Sequence, residues 1–463
     1  MKDLTEGPIA GHIVQMAVPM AIGMLIQTLY FLVDLYFVAQ LGDAAIAGVS
    51  LGGTVMYIVL GLTQMLGVGT VALISHAVGR KDAADANLVF NQSLVISALC
   101  AGLTLFAGYG LGRSYLHSIG ADAATTMAGI TYLDCYLPGL ALQFALIAMG
   151  SGLRGTGIVK PTMVVQVLTL LLNIILAPVL IAGWGTGHAL GVAGAGLASS
   201  ISIAVGVVMM GVYFMRMEKY VGFHADLWRP RLHTWKRMLA IGFPAGGEFA
   251  LMFVFMAQIY TVIRDFGAAA QAGFGIGGRV MQSIFLPAMA IAFSTPAVAG
   301  QNFGAQKPER VRETFRTAVI MSSVVMVSLT VLCHWQPAWF ISRFTSEPDV
   351  IETGATFLSI ISLNFVAQGI IFTCSGMFQA LGNTWPALLS TATRLLVFAI
   401  PVLWLSRQPH FRIEHVWYVS VATVAFQAIL SLLLLRGQMR RRLPGGGLWR
   451  ETKPAGSATG TAT

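Results

Sequence analysis

The chain has 463 residues, 56% of them hydrophobic and only 10% charged, with a formal net charge of +9. Soluble domains carry about a quarter charged residues. This composition, at a mean hydropathy of +0.75, therefore excludes an ordinary water-soluble fold and points to a polytopic membrane protein. The apolar runs are long and continuous, whereas a membrane barrel alternates in segments of about ten residues. The spans are therefore read as helices, which need about 20 apolar residues each and satisfy their own backbone.

In chain order the expected spans cover 14–39, 48–76, 89–111, 128–152, 161–183, 190–214, 238–262, 270–299, 315–335, 350–377, 386–405 and 415–435. That makes an all-α fold of twelve transmembrane helices. The N-terminus, MKDLTEGPIAGH, has one Lys against two acids and no small-residue cleavage site before a long span. It is expected to belong to the mature protein. With the N-terminus placed in the cytoplasm, 21 of the 28 Lys and Arg fall in cytoplasmic segments, five in outer loops, and two, Arg279 and Arg394, within spans. The positive-inside rule then places both termini in the cytoplasm. We expect a multi-pass protein of the cell (inner) membrane. Its basic excess reads as topology and attraction to anionic lipid, not as a nucleic-acid partner. Cys100, Cys135, Cys333 and Cys374 fall within spans at spacings that match no zinc site or disulfide framework, and read as small buried apolar residues.

The chain reads as a doubled unit. At an offset of 225 residues, Pro19 aligns with Pro244, LGDAAIAG (41–48) with FGAAAQAG (266–273), HAVGRKDAADANLVF (76–90) with QNFGAQKPERVRETF (301–315), and LRGTGIVKP (153–161) with FQALGNTWP (378–386). Four separated blocks in one register argue for duplication. Six spans per repeat is an even number, so the repeats share one orientation and form two lobes with a substrate site between them near the midplane. We expect an N-terminal lobe at 1–215, a polar inter-lobe linker on the cytoplasmic face at 216–237, a C-terminal lobe at 238–436, and a flexible tail at 437–463.

A charge at mid-membrane costs about 2.5–3.5 kcal/mol on insertion scales, so ionisable residues within spans are functional candidates. Asp34 shares a helix face with Gln27 and Tyr30, and that span also holds Pro19, which weakens the ladder and marks a bend. Glu248 follows Pro244 by one turn and faces Met252 and Phe255. It suits a proton carrier or an anchor for a cationic substrate. Asn173 is placed to hydrogen-bond across the lobe to Asp34. Asp34, Glu248 and Asn173 are therefore the expected ion-coupling residues, with Asp34 and Asn173 a candidate Na⁺ site. Tyr30, Phe253 and Phe255 offer faces for an organic cation, and Gln27, Gln258 and Arg279 complete the expected cavity lining. Pro19 and Pro244 are the expected helix-bending positions. Asp134 lies near the headgroups, and Arg279 and Arg394 are read as counter-charges for acids of the C-terminal half. The string GVSLG (48–52) matches the nucleophile elbow, and GFGIGG (273–278) the dinucleotide loop, only as letters, since both lie in membrane helices. With no GxxxxGK[ST] and no HExxH, the chain is not expected to be an enzyme. It is expected to take no cofactor and to draw on an ion gradient or a partner.

These residues resemble the MATE (multidrug and toxic compound extrusion) family of bacterial transporters. The carrying segments are VPMAIGMLIQTLYFLVDLYFVAQLGDAAIAGVSL, SGLRGTGIVKP, NIILAPVLI, GVAGAGLASSIS, IGFPAGGEFA and AVAGQNFGA, in order across about residues 10–435. The resemblance implies twelve helices in two six-helix lobes. It also implies antiport of drugs or metabolites, often cationic and amphipathic, against H⁺ or Na⁺ by alternating access. Pro19 and Asp34 match the kink proline and ion-site aspartate of the first helix, and Glu248 an acid of the seventh. Two positions depart from branches of the family: Ala177 stands where one has Asp, and the tenth span, with Asn364 and Gln368, lacks the acid of another. A lipid-linked saccharide flippase of the same broad superfamily is the alternative transporter. A membrane receptor or intramembrane enzyme is the alternative of another class. We expect a monomer in the bilayer with a small-molecule substrate.

Overall fold

The protein is described by a computed structural model covering residues 1–120 and 122–443. Its helices are α1 (Ile9–Ala39), α2 (Asp43–Gly79), α3 (Ala83–Ile119), α4 (Ala123–Gly155), α5 (Lys160–Ile181), α6 (Val192–Arg216), α7 (Leu232–Ile263), α8 (Ala268–Gly304), α9 (Pro308–Trp335), α10 (Pro337–Ile341), α11 (Pro348–Ile361), α12 (Phe365–Ala380), α13 (Trp385–Leu405) and α14 (Ile413–Arg442). Among the described residues, twelve helical segments are long and apolar enough to cross a membrane. α11 and α12 form one of them, joined through a 3-10 turn at Ser362–Asn364.

Local chemistry fixes the helix ends. The Asp82 side chain accepts from Asp85 N at 3.0 Å and opens α3, and Asp122 accepts from Thr125 N at 2.8 Å and opens α4. The Thr125 amide and hydroxyl hold the Asp122 carboxyl below its usual range. Proline occupies the first turn of α5, α9, α10, α11 and α13, where no intrahelical N–H is needed.

The 225-residue repeat extends to the backbone. Asp43–Gly79 recurs as Ala268–Gly304, and Ala123–Gly155 recurs as the joined segment Pro348–Ala380. Even the left-handed residues recur: Gly42 (φ 101°) with Gly267 (φ 91°), Lys81 (φ 60°) with Gln306 (φ 56°), and Gly157 (φ 82°) with Gly382 (φ 70°). Lys81 and Gln306 adopt a conformation that usually falls to Gly or Asn, so the turn into the third helix of each half is set by the fold. The halves differ at two places. The counterpart of α3 is interrupted at Gln336 ahead of Pro337. The counterpart of Pro138, which α4 carries inside an unbroken helix, is Leu363 in the 3-10 turn.

Most helices are longer than the expected spans, α5 and α6 excepted, and the segment between the halves is shorter. α7 begins at Leu232, so 232–237 of the expected linker is helical. The remainder is tied to α3 by three amide side chains. Asn87 bonds Tyr220 O and Gly222 N, Asn91 bonds Gly222 O and His224 N, and Gln92 bonds Leu227 O, Arg229 O and Arg231 N. At the other end α14 continues through 437–442, which the expected flexible tail had included, and residues 444–463 of that tail lie outside the described residues.

The halves meet along the ends that carry the N-terminus and the last turn of α14, here called the terminal face. α7 lies so close to α2 that a Cβ at Gly242 would overlap the Met65 carbonyl, and one at Gly69 would overlap that of Met238. α2 and α8 meet the same way, Gly79 against the Gln301 carbonyl and Gly304 against that of His76. Only glycine permits such an approach. His76 Nε2 lies 2.6 Å from Ala380 O, and Gln301 Nε2 donates to Gly155 O at 3.2 Å. These two bonds are equivalents under the repeat. The N-terminal residues cross this seam. Lys2 N donates to Thr156 O in the first half (2.8 Å), whereas Leu4 N donates to Gln301 Oε1 (2.9 Å) and Lys307 Nζ to Thr5 O (3.0 Å) in the second. Leu4 is fully buried in a cluster with Val159, Ala297 and Val298.

Candidate functional site

Two separate polar clusters lie inside the bundle. The first is built on α1, α5 and α6. Asp34 is 8% exposed; Asn173 Nδ2 donates to its Oδ1 at 2.6 Å, and Ser199 Oγ donates to its Oδ2 at 2.9 Å. Asn173 was expected at this position. Ser199 was not, although it lies within GVAGAGLASSIS, because a serine among small residues first reads as a packing residue. The long polar reach of α1 places Tyr30 beside the same group. Tyr30 Oη, Asn173 Oδ1 and Ser202 Oγ are buried without hydrogen-bond partners, and Ser199 and Ser202 neighbour Tyr30. Gln27, on the same helix face in sequence, is exposed and does not join this set.

The energetics of the cluster are unbalanced. A hydrogen bond to a charged group contributes roughly 1.5–3 kcal/mol, so two donors offset about 3–6 kcal/mol of the larger cost of burying a lone carboxylate. No Lys, Arg or His forms an ion pair with Asp34 among the described residues. The arrangement can take a proton on Asp34. It can also take a hard cation, since the unpaired oxygens of Tyr30, Asn173 and Ser202 are of the type such ions prefer. Ala177, one turn past Asn173, is fully buried and adds no ligand. Groups of three His, Cys, Asp or Glu are absent among the described residues, so any cation here meets one carboxylate and neutral oxygens.

The second cluster is built on α7, α12, α13 and α14. Ser375 Oγ donates to Glu248 Oε2 at 3.1 Å, and the Thr391 hydroxyl lies close by. Sequence reading expected Arg279 or Arg394 as the counter-charge; neither forms an ion pair with Glu248 among the described residues. Arg279 is exposed on α8. Arg394 lies over the Phe255 ring at 4.2 Å, so the face expected to receive an organic cation already holds one of the protein's own. Phe253 is 38% exposed and meets Tyr57 of α2 at 4.9 Å across the two halves. Gln258 is half-buried with its Oε1 unpaired. Pro19 and Pro244 are both buried, within continuous helices. Asp134 pairs at 2.8 Å with Arg113, which lies inside α3 instead of the expected outer loop.

The clusters do not correspond under the repeat. The counterparts of Asp34, Asn173 and Ser199 are Ile259, Phe398 and Val424, all buried and apolar. The counterparts of Glu248, Ser375 and Thr391 are Gly23, Gly150 and Gln166, and a Cβ at Gly23 would collide with Gln166 Oε1. Glu248 therefore occupies the place that Gly23 holds in α1. Asp34 lies 11 residues further along, about 16 Å at 1.5 Å per residue. Each cluster carries one acid, at a different depth.

Comparison with known proteins agrees with this architecture. The family model MatE matches residues 19–179 and 244–405, two segments that begin at the repeat-related prolines. The chain is 25% identical over 447 residues to the multidrug export protein MepA of Staphylococcus aureus, covering 95% of this chain and 98% of that one. It is 26% identical over 437 residues to the probable multidrug resistance protein NorM of Thermotoga maritima, covering 93% of each. Among solved structures, a MATE protein in its bent conformation superimposes with a TM-score of 0.88 at 25% identity, covering 95% of this chain and 97% of that one.

Proposed function

The chain belongs to the MatE family, and from that membership we propose that it is a multidrug efflux transporter. It exports cationic or amphipathic compounds in exchange for H⁺ or Na⁺ by alternating access. Asp34 carries this reading. A carboxylate 8% exposed, with two neutral donors and three unpaired neighbouring oxygens, is a site that a small cation completes. MepA and NorM, named for multidrug export and resistance, support the substrate class.

In this reading the terminal face is cytoplasmic, and the closed seam between α2, α7 and α8 makes the structure the outward-open state. H⁺ or Na⁺ enters from outside, takes the Asp34 carboxylate and rearranges the α1–α5–α6 cluster. Pro19 lets α1 respond by bending, since a proline leaves one rung of the helix unbonded. Glu248, deeper in the other half, faces the exported compound or a second proton, and Tyr57 and Phe253 offer it aromatic edges. The protein works as a monomer in the cell membrane. The test is efflux of ethidium, a fluorescent lipophilic cation, from proteoliposomes under a pure pH gradient and, separately, a pure Na⁺ gradient. Wild type is expected to respond to one of them and Asp34→Asn to neither. Transport by Asp34→Asn at the wild-type rate would overturn the assignment.

A further inference from the structure

Arg394 is a half-buried cation of the second half, and among the described residues it has no acid at ion-pair distance. Between the polar ends of the helices from α7 onward, the only Asp, Glu, Lys or Arg residues are Glu248, Arg279 and Arg394. Arg279 is exposed on α8, which leaves Glu248 and Arg394 as the opposite charges of this interior. They are joined indirectly. Arg394 Nη1 donates to Gln427 Oε1 at 3.4 Å, Gln427 Nε2 donates to Thr391 Oγ1 at 3.1 Å, and the Thr391 hydroxyl lies beside the Glu248 carboxyl.

The chemistry of the donors gives this chain a direction. A guanidinium only donates, so Gln427 must present its carbonyl to Arg394 and its amide N–H to Thr391. The Thr391 oxygen then accepts from Gln427, which leaves its own proton for the neighbouring carboxylate. Hydrogen bonds aligned in one sense polarise one another. The Phe255 ring, 4.2 Å from the guanidinium carbon, fixes the cation at the head of the chain, and Phe398 packs edge-on against that ring at 5.0 Å. The counterparts of Arg394 and Gln427 under the repeat are Thr169 and Ser202, so the first half has no charged head and no amide link. The array is present only where Glu248 is.

We propose that Arg394 is a positioning residue for Glu248, acting through Gln427 and Thr391 and not by contact. The relay holds the carboxylate as an acceptor toward α13. When Glu248 takes a cation or a proton, its oxygens become weaker acceptors for the Thr391 proton, and the order of the chain is loosened as far as α14. Occupancy of a site on α7 is thereby reported to α13 and α14.

This inference rests on the role given to Glu248 above, and a double-mutant cycle separates the two. Ethidium efflux from proteoliposomes and ethidium affinity of the purified full chain are measured for Glu248→Gln, Arg394→Gln, Gln427→Leu, Arg394→Lys, and the first combined with each of the next two. Arg394→Gln and Gln427→Leu are each expected to weaken affinity or efflux at least fivefold, and Arg394→Lys, which keeps a cation, to recover at least half. In the Glu248→Gln background both substitutions are expected to change either quantity by less than twofold. Losses that multiply in that background would show Arg394 and Gln427 acting on the fold alone, and would overturn the relay. A wild-type Arg394→Gln protein would do the same. If Glu248→Gln itself behaves as wild type, the role of Glu248 fails first and the relay with it. An impaired Glu248→Gln with multiplying losses removes only the relay.

Discussion

Leu4→Ala isolates the seam at the terminal face. Leu4 is 0% exposed and lies between Val159 of the first half and Ala297 and Val298 of the second. A Leu-to-Ala truncation in a core that cannot collapse costs about 2–5 kcal/mol. Those contacts exist only while the seam is shut, so nearly all of that cost falls on the state with the seam closed. A loss of ~3 kcal/mol on one side of a two-state equilibrium shifts it roughly 150-fold. The backbone bonds from Leu4 to Gln301 and Asn302 remain, so the peptide is not released. The assay uses Ser75→Cys, at a residue that is 0% exposed and lies against Gly300 in the seam, with the four native cysteines replaced. The rate of labelling by an impermeant maleimide added at the terminal face reports opening. Leu4→Ala should raise that rate at least tenfold. Equal rates in the two proteins would refute the claim that the N-terminal residues hold the halves together.

Three other perturbations test separate parts. Asn173→Leu leaves Asp34 Oδ1 without its donor, and a hydrogen bond to a charged group worth ~1.5–3 kcal/mol should translate into at least tenfold slower efflux. The Asp34→Asn, Asn173→Leu double variant should be no slower than Asp34→Asn, and a further loss would show that Asn173 does not act through Asp34. Gly242→Val pushes a side chain into the Met65 carbonyl. Overpacking of this kind costs on the order of 1–3 kcal/mol, so the purified protein should melt several degrees lower, and an unchanged Tm would refute the close approach of α2 and α7. Asp122 is depressed below its usual range by the Thr125 amide and hydroxyl. Its cap should be fully present above the ordinary carboxylate value of about 3.9 and lost as pH falls through the lowered one. Asp122→Ala should melt below wild type at neutral pH, with the gap closing in acid; a gap that persists there would contradict this.

The repeat was legible because a single offset linked Gly, Pro and loop residues across four blocks. The structure carries the same register into features with no sequence period. The left-handed Lys81 and Gln306 are dictated by the turn geometry of the fold and not by residue type. The paired bonds from His76 to Ala380 and from Gln301 to Gly155 join a side chain to a distant carbonyl. Both pairs lie inside the aligned blocks, yet only the packing of α2 on α8 brings them together. Helix ends were read too short because hydropathy marks the apolar stretch, whereas caps such as Asp82 and Asp122 lie well beyond it.

The candidate site was legible in its acids and less so in their partners. Asp34 and Glu248 stand out as charges in apolar runs, and Asn173 as an amide in one. Ser199, Ser375 and Thr391 do not, since hydroxyls are common in membrane helices and often bond the preceding turn, as Thr373 does to Gly369 O. Opposite charges on one set of helices suggested that Glu248 would touch Arg279 or Arg394. The structure instead gives Arg394 an aromatic face and an amide, a solution that nearest-charge reasoning does not generate.

The central claim is that a cation taken by Asp34 drives export. It is tested most directly in proteoliposomes holding wild type or Asp34→Asn, with ethidium efflux followed under a pH gradient alone and a Na⁺ gradient alone. Efflux is expected from wild type under one gradient and from Asp34→Asn under neither. Wild-type efflux rates from Asp34→Asn would contradict it.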